Sequence, residues 1–183
     1  MKRPPLVERF ITELEKWKVP AVNSEAELDN AVRDFIRSLL GSQIPENERK
    51  QWVAGHKEAK PNDRFWSESK PHQNVLLWGA SKTSDLFVFH RDGKYGLPPR
   101  GISFEIKYVK AGESYAGPIA TVAGQLLAYS VRHEWTIGFV FCERRRAPKT
   151  SLTDGKSGHA DDLKRALPAN ATLLVRFRHD EAA

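Results

Sequence analysis

A chain of 183 residues with 40% hydrophobic content and five tryptophans is long enough to enclose an apolar core, and reads as one domain. Its formal charge of +6, from 29 Lys and Arg against 23 Asp and Glu, favours polyanionic partners but specifies no chemistry. No apolar run approaches the ~20 residues that span a bilayer, and the one cysteine, Cys142, excludes an internal disulfide framework and a Cys-based zinc site.

The first residues, Met-Lys-Arg-Pro-Pro, are basic, but Glu8, Glu13 and Glu15 interrupt any signal-like core, so the expected location is cytoplasmic, with no membrane partner. Leu6, Phe10, Leu14 and Trp17 recur at helical spacing and predict a helix over 5–18, ended by Pro20. A second helix is expected from Asn23-Ser24 to Leu40, closed by Gly41, with Leu28, Val32, Phe35, Ile36 and Leu39 inward. Ser24 and Glu27 match a capping box, which gives Glu27 a structural task. Glu25 sits three residues before Leu28 and seven before Val32, and so shares the inward stripe. As a first-turn acid it also suits the helix dipole.

Residues 41–74 show no clear periodicity and are broken by Pro45, Pro61 and Pro71. A short helix is expected near 46–58. Trp52, Phe65 and Trp66, with His56, Lys57, Lys60, Arg64, Lys70 and His72, make the insertion basic and aromatic. That mixture suits phosphate contact and base stacking as well as a packed surface excursion. Strands are expected at 75–78, 85–89, 101–109, 135–142 and 172–177, and the first three suggest an antiparallel meander, with Gly79 to Thr83 as a turn. A flexible loop at 111–118 leads to a helix over 119–132, and helix followed by strand implies parallel pairing of 135–142 with the central strand. Arg144, Arg145, Arg146 and Lys149 form a basic cluster, 150–158 is rich in Ser, Thr and Gly, and a short helix is expected at 161–167.

The central stretch, Gly101-Ile-Ser-Phe-Glu-Ile-Lys-Tyr-Val-Lys110, alternates faces when read as a strand. Glu105 and Lys107 then stand side by side on one face, about 7 Å apart, in a run otherwise apolar enough to be buried. A buried charge is costly unless paired or metal-bound. The same Glu-x-Lys would be inexpensive on the wet face of an edge strand. Its company argues for a site: Asp85 lies 20 residues upstream at the start of another strand, and Gln125 and Tyr129 lie 20 and 24 residues downstream on one helix face. Tyr129 also fits as core beside Val122 and Leu126, whereas a Gln on an apolar inward face asks for a polar partner.

An acid, then Glu-x-Lys, then Gln-x-x-x-Tyr, in this order, resembles the PD-(D/E)XK nuclease superfamily, and the last element resembles its RecB-like and archaeal single-strand endonuclease branches. The resemblance covers roughly residues 24–142 and is one of pattern. Two departures are Ser84 where the family often has Pro, and the long insertion before the first strand. The resemblance implies a restriction-endonuclease-like α/β core: a mixed sheet of about five strands flanked by helices, in α-β-β-β-α-β order. The expected division is an N-terminal helix (1–22), a core (23–142) with the insertion 41–74, and a C-terminal helix and strand (143–183).

It further implies a deoxyribonuclease that hydrolyses phosphodiester bonds with Mg²⁺ or Mn²⁺. Asp85, Glu105 and the backbone carbonyl of Ile106 would hold the metal. Lys107 would help deprotonate the water or offset transition-state charge, both roles staying open. Gln125 would support Lys107 or the water, Tyr129 the site or the substrate backbone, and Glu25, with Glu27 as the alternative, would reach the site from the first core helix. The implied partner is DNA, whether duplex, single-stranded or branched. RNA is the rival substrate, and a catalytically silent nucleic-acid-binding or assembly module is the rival function. Cutting both strands of a duplex would favour a homodimer, though no interface is legible. Other chemistries fit worse: His133, His159 and His179 lack zinc-site spacing, and neither a Gly-x-x-x-x-Gly-Lys loop nor a Gly-x-Ser-x-Gly elbow is present.

Overall fold

The structure is a computed structural model, and it describes residues 2–41, 55–56, 74–77, 80–88, 96, 100–143, 163 and 165–178. In chain order the elements are α1 (Pro5–Lys16), α2 (Glu25–Gly41), β1 (Gly55–His56), β2 (Asn74–Leu77), β3 (Ala80–Thr83), β4 (Leu86–Val88), β5 (Ile102–Val109), α3 (Ala116–Ser130), β6 (Trp135–Cys142) and β7 (Ala171–Phe177). The chain is α/β: β4, β5, β6 and β7 lie in that order in an open mixed sheet, with helices on both faces. β4 is antiparallel to β5, while β5, β6 and β7 run parallel. The parallel step from β5 to β6 passes through α3, as the helix-then-strand order predicts.

One face is closed by α1 and α2. Leu6, Phe10 and Leu14 of α1 and Leu28, Val32 and Ile36 of α2 bury against Phe104, Ile106, Ile137, Phe139 and Phe141 of the sheet. α1 ends at Lys16, two residues earlier than expected, because Trp17 turns extended and stacks on Phe35 at 4.6 Å. The Arg176 guanidinium donates to the Leu14 carbonyl at 3.0 Å and to the Glu15 carbonyl, satisfying acceptors that the helix end leaves open. α2 opens with the expected capping box. The Glu27 amide donates to Ser24 Oγ at 3.2 Å, and Glu27 Oε2 accepts from the Asn23 amide at 2.8 Å.

The opposite face is covered by α3, which buries Ile119, Val122, Ala123 and Leu126 against Val109, Val140, Cys142, Leu173 and Phe177. Every residue of β6 is buried, since this strand has helices on both sides. Cys142 takes the expected role of a small buried hydrophobe.

The expected meander is corrected by the pairing. Asn74 to Leu77 pair with Thr83 to Ala80 in a separate two-stranded ribbon, so only Trp78 and Gly79 lie between the two strands. So short a connection costs the least chain entropy to close, and a local hairpin therefore wins over pairing with β4. Residues 80–83, expected as a turn, are a strand. The outer edge of β4 instead takes Gly55–His56, antiparallel. That pair lies inside the stretch expected as a short helix at 46–58, and it is extended because its backbone groups serve the sheet edge. The rest of that stretch, the side chains of the 41–74 insertion beyond Gly41 and the cluster Arg144 to Lys149 lie outside the described residues. α3 starts three residues before the expected 119, with Pro118 in its first turn, where a missing amide costs nothing.

Candidate active site

The candidate site is a fork between β4 and β5. Their pairing runs from Val88↔Ile102 to Leu86↔Phe104 and stops there. The Asp85 amide makes one more rung, donating to the Phe104 carbonyl at 3.0 Å. Asp85 Oδ2 then accepts from the Ile106 amide at 2.8 Å. A carboxylate thus takes the place of the next main-chain partner as β4 leaves β5. This brings Asp85 beside Glu105, the residue preceding Ile106. Both are buried, at 4% and 7% exposure.

Glu105 faces α3. Its register partner on β6 is Gly138, and α3 sits directly on that glycine. A Cβ at Gly138 would lie 2.6 Å from Val122 Cγ1 and 2.9 Å from Leu126 Cδ1. The missing side chain lets the helix approach closely enough for Gln125 Nε2, on the turn between those two contacts, to donate to Glu105 Oε1 at 2.5 Å. One turn on, Tyr129 is fully buried. Burial raises its phenol above the ordinary tyrosine range. The negative charge of Glu105 adds to this, then a hydrogen bond to Glu105 and the charge of Asp85, while Gln125 acts in the opposite direction. The phenol oxygen feels Glu105 and Gln125, yet lies outside the geometry of a well-formed hydrogen bond to either. Tyr129 is therefore both core and site neighbour.

Lys107 is partly exposed, and its Nζ lies 2.5 Å from Glu25 Oε2. The two candidate acids of α2 are told apart here: Glu27 caps the helix, and Glu25 holds Lys107. Glu25 is not on the buried stripe where its spacing puts it. It is half-exposed, because a first-turn residue lies beyond the sheet that Leu28 and Val32 cover.

What aims the α2 N-terminus at β5 was not legible as a site feature. Arg178 Nη1 donates to the Val19 carbonyl at 2.7 Å, Nη2 to the Pro20 carbonyl at 3.3 Å, and the Tyr108 hydroxyl to the Val22 carbonyl at 3.1 Å. Arg178 is itself gripped by both oxygens of Glu143, at 3.0 and 2.9 Å, and its guanidinium lies over the Phe141 ring at 4.6 Å. Burial first, then Glu143, push the Tyr108 phenol up, with Arg178 opposing, so it remains a donor. The sequence carries a cue for Gly138, a glycine inside an apolar strand. For Arg178 and Glu143 it carries none, because their partners are 35 to 159 residues away.

The donor chemistry suits a hard divalent cation. Asp85 and Glu105 offer carboxylate oxygens, and the carbonyl of Ile106 belongs to the residue whose amide Asp85 holds. Among the described residues no group of three His, Cys, Asp or Glu side chains is arranged to hold a metal, so the side-chain donors at the fork are these two. Lys107, two residues beyond Glu105 in the same strand, has its ammonium on Glu25 of α2. Two buried carboxylates side by side repel, and a cation between them offsets that cost. A scan against protein-family models and searches of curated proteins and of solved structures find no match to this chain.

Proposed function

We propose that this protein is a metal-dependent nuclease with a restriction-endonuclease-like core, hydrolysing phosphodiester bonds in DNA. The observation that carries the reading is the fork itself: two buried carboxylates, Asp85 and Glu105, meet where β4 leaves β5, and Lys107 lies two residues on in the same strand. Burying such a pair lowers stability, and a cation-dependent reaction gives it a use.

In this reading Asp85, Glu105 and the Ile106 carbonyl hold Mg²⁺ or Mn²⁺, which when bound supplies charge relief at phosphorus and a more acidic water. The Ile106 amide fixes the Asp85 carboxylate, and Gln125 fixes Glu105, so neither oxygen set must reorganise. Glu25 holds the Lys107 ammonium, and Lys107 in this reading orients the attacking water and offsets charge developing on the phosphate. Tyr129, fully buried, closes the inner side of Glu105 to bulk solvent. The excess of Lys and Arg over Asp and Glu supports a polyanionic substrate. A second reading, a nucleic-acid-binding module that does not cut, draws on one observation: Lys107 is already engaged by Glu25 at 2.5 Å.

A cleavage assay separates them. Single-stranded, duplex and branched DNA, and RNA, would be incubated with Mg²⁺ or Mn²⁺ against EDTA, using wild type, Asp85→Ala and Lys107→Ala. The expected result is metal-dependent cutting of DNA, lost in both variants while both stay folded by circular dichroism. Binding without cutting under either metal would transfer the assignment to the second reading, and cutting confined to RNA would replace the substrate.

A further inference from the structure

The α3 face of the sheet carries more buried polarity than the fork uses. Ser103 of β5 and Thr136 of β6 are register partners, both fully buried, and neither hydroxyl has a hydrogen-bond partner among the described residues. Ser103 precedes Glu105 by two residues on the same face, roughly 7 Å away. The wall above is formed by the C-terminal end of α3 and the turn that links it to β6. His133, in that turn and also fully buried, packs its ring 4.9 Å from Phe87 and 6.1 Å from Tyr129, and Phe87 is the register partner of Ser103 on β4. Tyr129 adds a third buried hydroxyl, turned to Glu105 but short of a well-formed bond. The three hydroxyls thus lie on the α3 side of the sheet, among β4, β5, β6 and α3.

Buried hydroxyls in folded proteins are almost always satisfied, and where side chains do not do it, internal water does. Neutral hydroxyls suit water better than an ion, because they offer both donors and acceptors and no compensating charge. We infer that Ser103, Thr136 and Tyr129 line an internal water site behind Glu105, and that Ser103 and Thr136 are positioning residues that act on the Glu105 carboxylate through that water and the Tyr129 hydroxyl. The water site stands on the hydroxyls alone, whereas the positioning role rests on the proposal that the fork holds a metal.

The test uses the full chain. Crystals diffracting to about 1.5 Å are expected to show ordered water within hydrogen-bonding reach of Thr136 Oγ1, Ser103 Oγ and Tyr129 Oη, and to show it displaced in Thr136→Val, which keeps the shape of the side chain. A dry region, with the two hydroxyls bonded back to main-chain carbonyls, would overturn the site. Calorimetric titration with Mn²⁺ reads the second half: roughly tenfold weaker binding in Thr136→Val, with recovery in Thr136→Ser, is expected for a group that orients a metal ligand. Equal affinity in all three proteins would overturn the positioning role. No Mn²⁺ binding even by wild type would sink the metal reading and the positioning role together, and leave the water site to the density. Should Thr136→Val fail to fold, Ser103→Ala gives the same two readouts.

Discussion

The two faces of the sheet are built on opposite principles. Towards α1 and α2, β5 and β6 present Phe104, Ile106, Ile137, Phe139 and Phe141, and the cluster they enter is mainly apolar. Its polar groups include the Tyr108 hydroxyl, bonded to the Val22 carbonyl, and the Trp135 indole, bonded to Thr172, with Asp29 of α2 buried beside it. Towards α3, the same two strands present Ser103, Glu105, Thr136 and Gly138, with Asp85 at the end of β4 and Tyr129 above. Side-chain alternation along a strand lets one element serve both, since neighbouring residues never share a face. The first face supplies stability. The second gives some of it up, because buried carboxylates and hydroxyls cost free energy that only pairing, water or a ligand returns.

Substitutions on the two faces should therefore dissociate folding from activity. The largest contrast is expected between Phe139→Ala and Asp85→Asn. The former leaves a cavity in the apolar face and costs about 3–5 kcal/mol of stability by chemical denaturation. The latter keeps an acceptor for the Ile106 amide, relieves repulsion with Glu105, and should leave stability unchanged or higher while abolishing metal-dependent cutting. Loss of folding in Asp85→Asn would mean that the fork is structural.

Gly138→Ala tests how the two regions join. A methyl group there must push Val122, Leu126 and Leu173 aside, at an expected cost of about 1–3 kcal/mol. It should also part Gln125 from Glu105, so activity should fall more than stability predicts, as a comparison with Gln125→Ala would show. Glu25→Gln should act on the site alone. The Glu25–Lys107 pair is part-exposed, so the expected stability change is under about 1 kcal/mol, while released Lys107 should lower kcat more than it raises KM.

The smallest effect concerns pH. The Tyr129 phenol is raised in the folded protein, chiefly by burial and next by Glu105. The folded state then keeps a proton that the unfolded chain loses near pH 10, so the contribution is complete below pH 10 and is lost as pH rises above it. Denaturation midpoints should fall above pH 10 in wild type and fall less steeply in Tyr129→Phe. Equal slopes would place the phenol in contact with bulk solvent.

Much of this was legible from local pattern. The helix stripes, the capping box at Ser24 and Glu27, the strand at 135–142 and its parallel relation to β5 each depend on residues a few positions apart, or on a helix lying between two strands. Alternation puts Glu105 and Lys107 on one strand face and helical spacing puts Gln125 and Tyr129 on one helix face, whereas the grouping of Asp85 with them came from the resemblance. The meander held for its second and third strands but lost its first, because a hairpin closing over two residues outcompetes a longer connection, a balance of loop entropies that strand propensity does not carry.

What the sequence determined alone, then, is which residues can share a face of each element, since that is dictated by the 3.6 and 2.0 residue periods of the backbone. Tertiary structure decided which faces meet. Asp85 reaches the Ile106 amide because β4 leaves β5 after Leu86. Gln125 reaches Glu105 because Gly138 lets α3 settle onto the sheet. Glu25 reaches Lys107 because Arg178, held by Glu143, and Tyr108 fasten residues 19–22 to the far strands. Each of these contacts joins residues at least 12 positions apart, whose encounter is set by packing of the whole chain and by no local propensity.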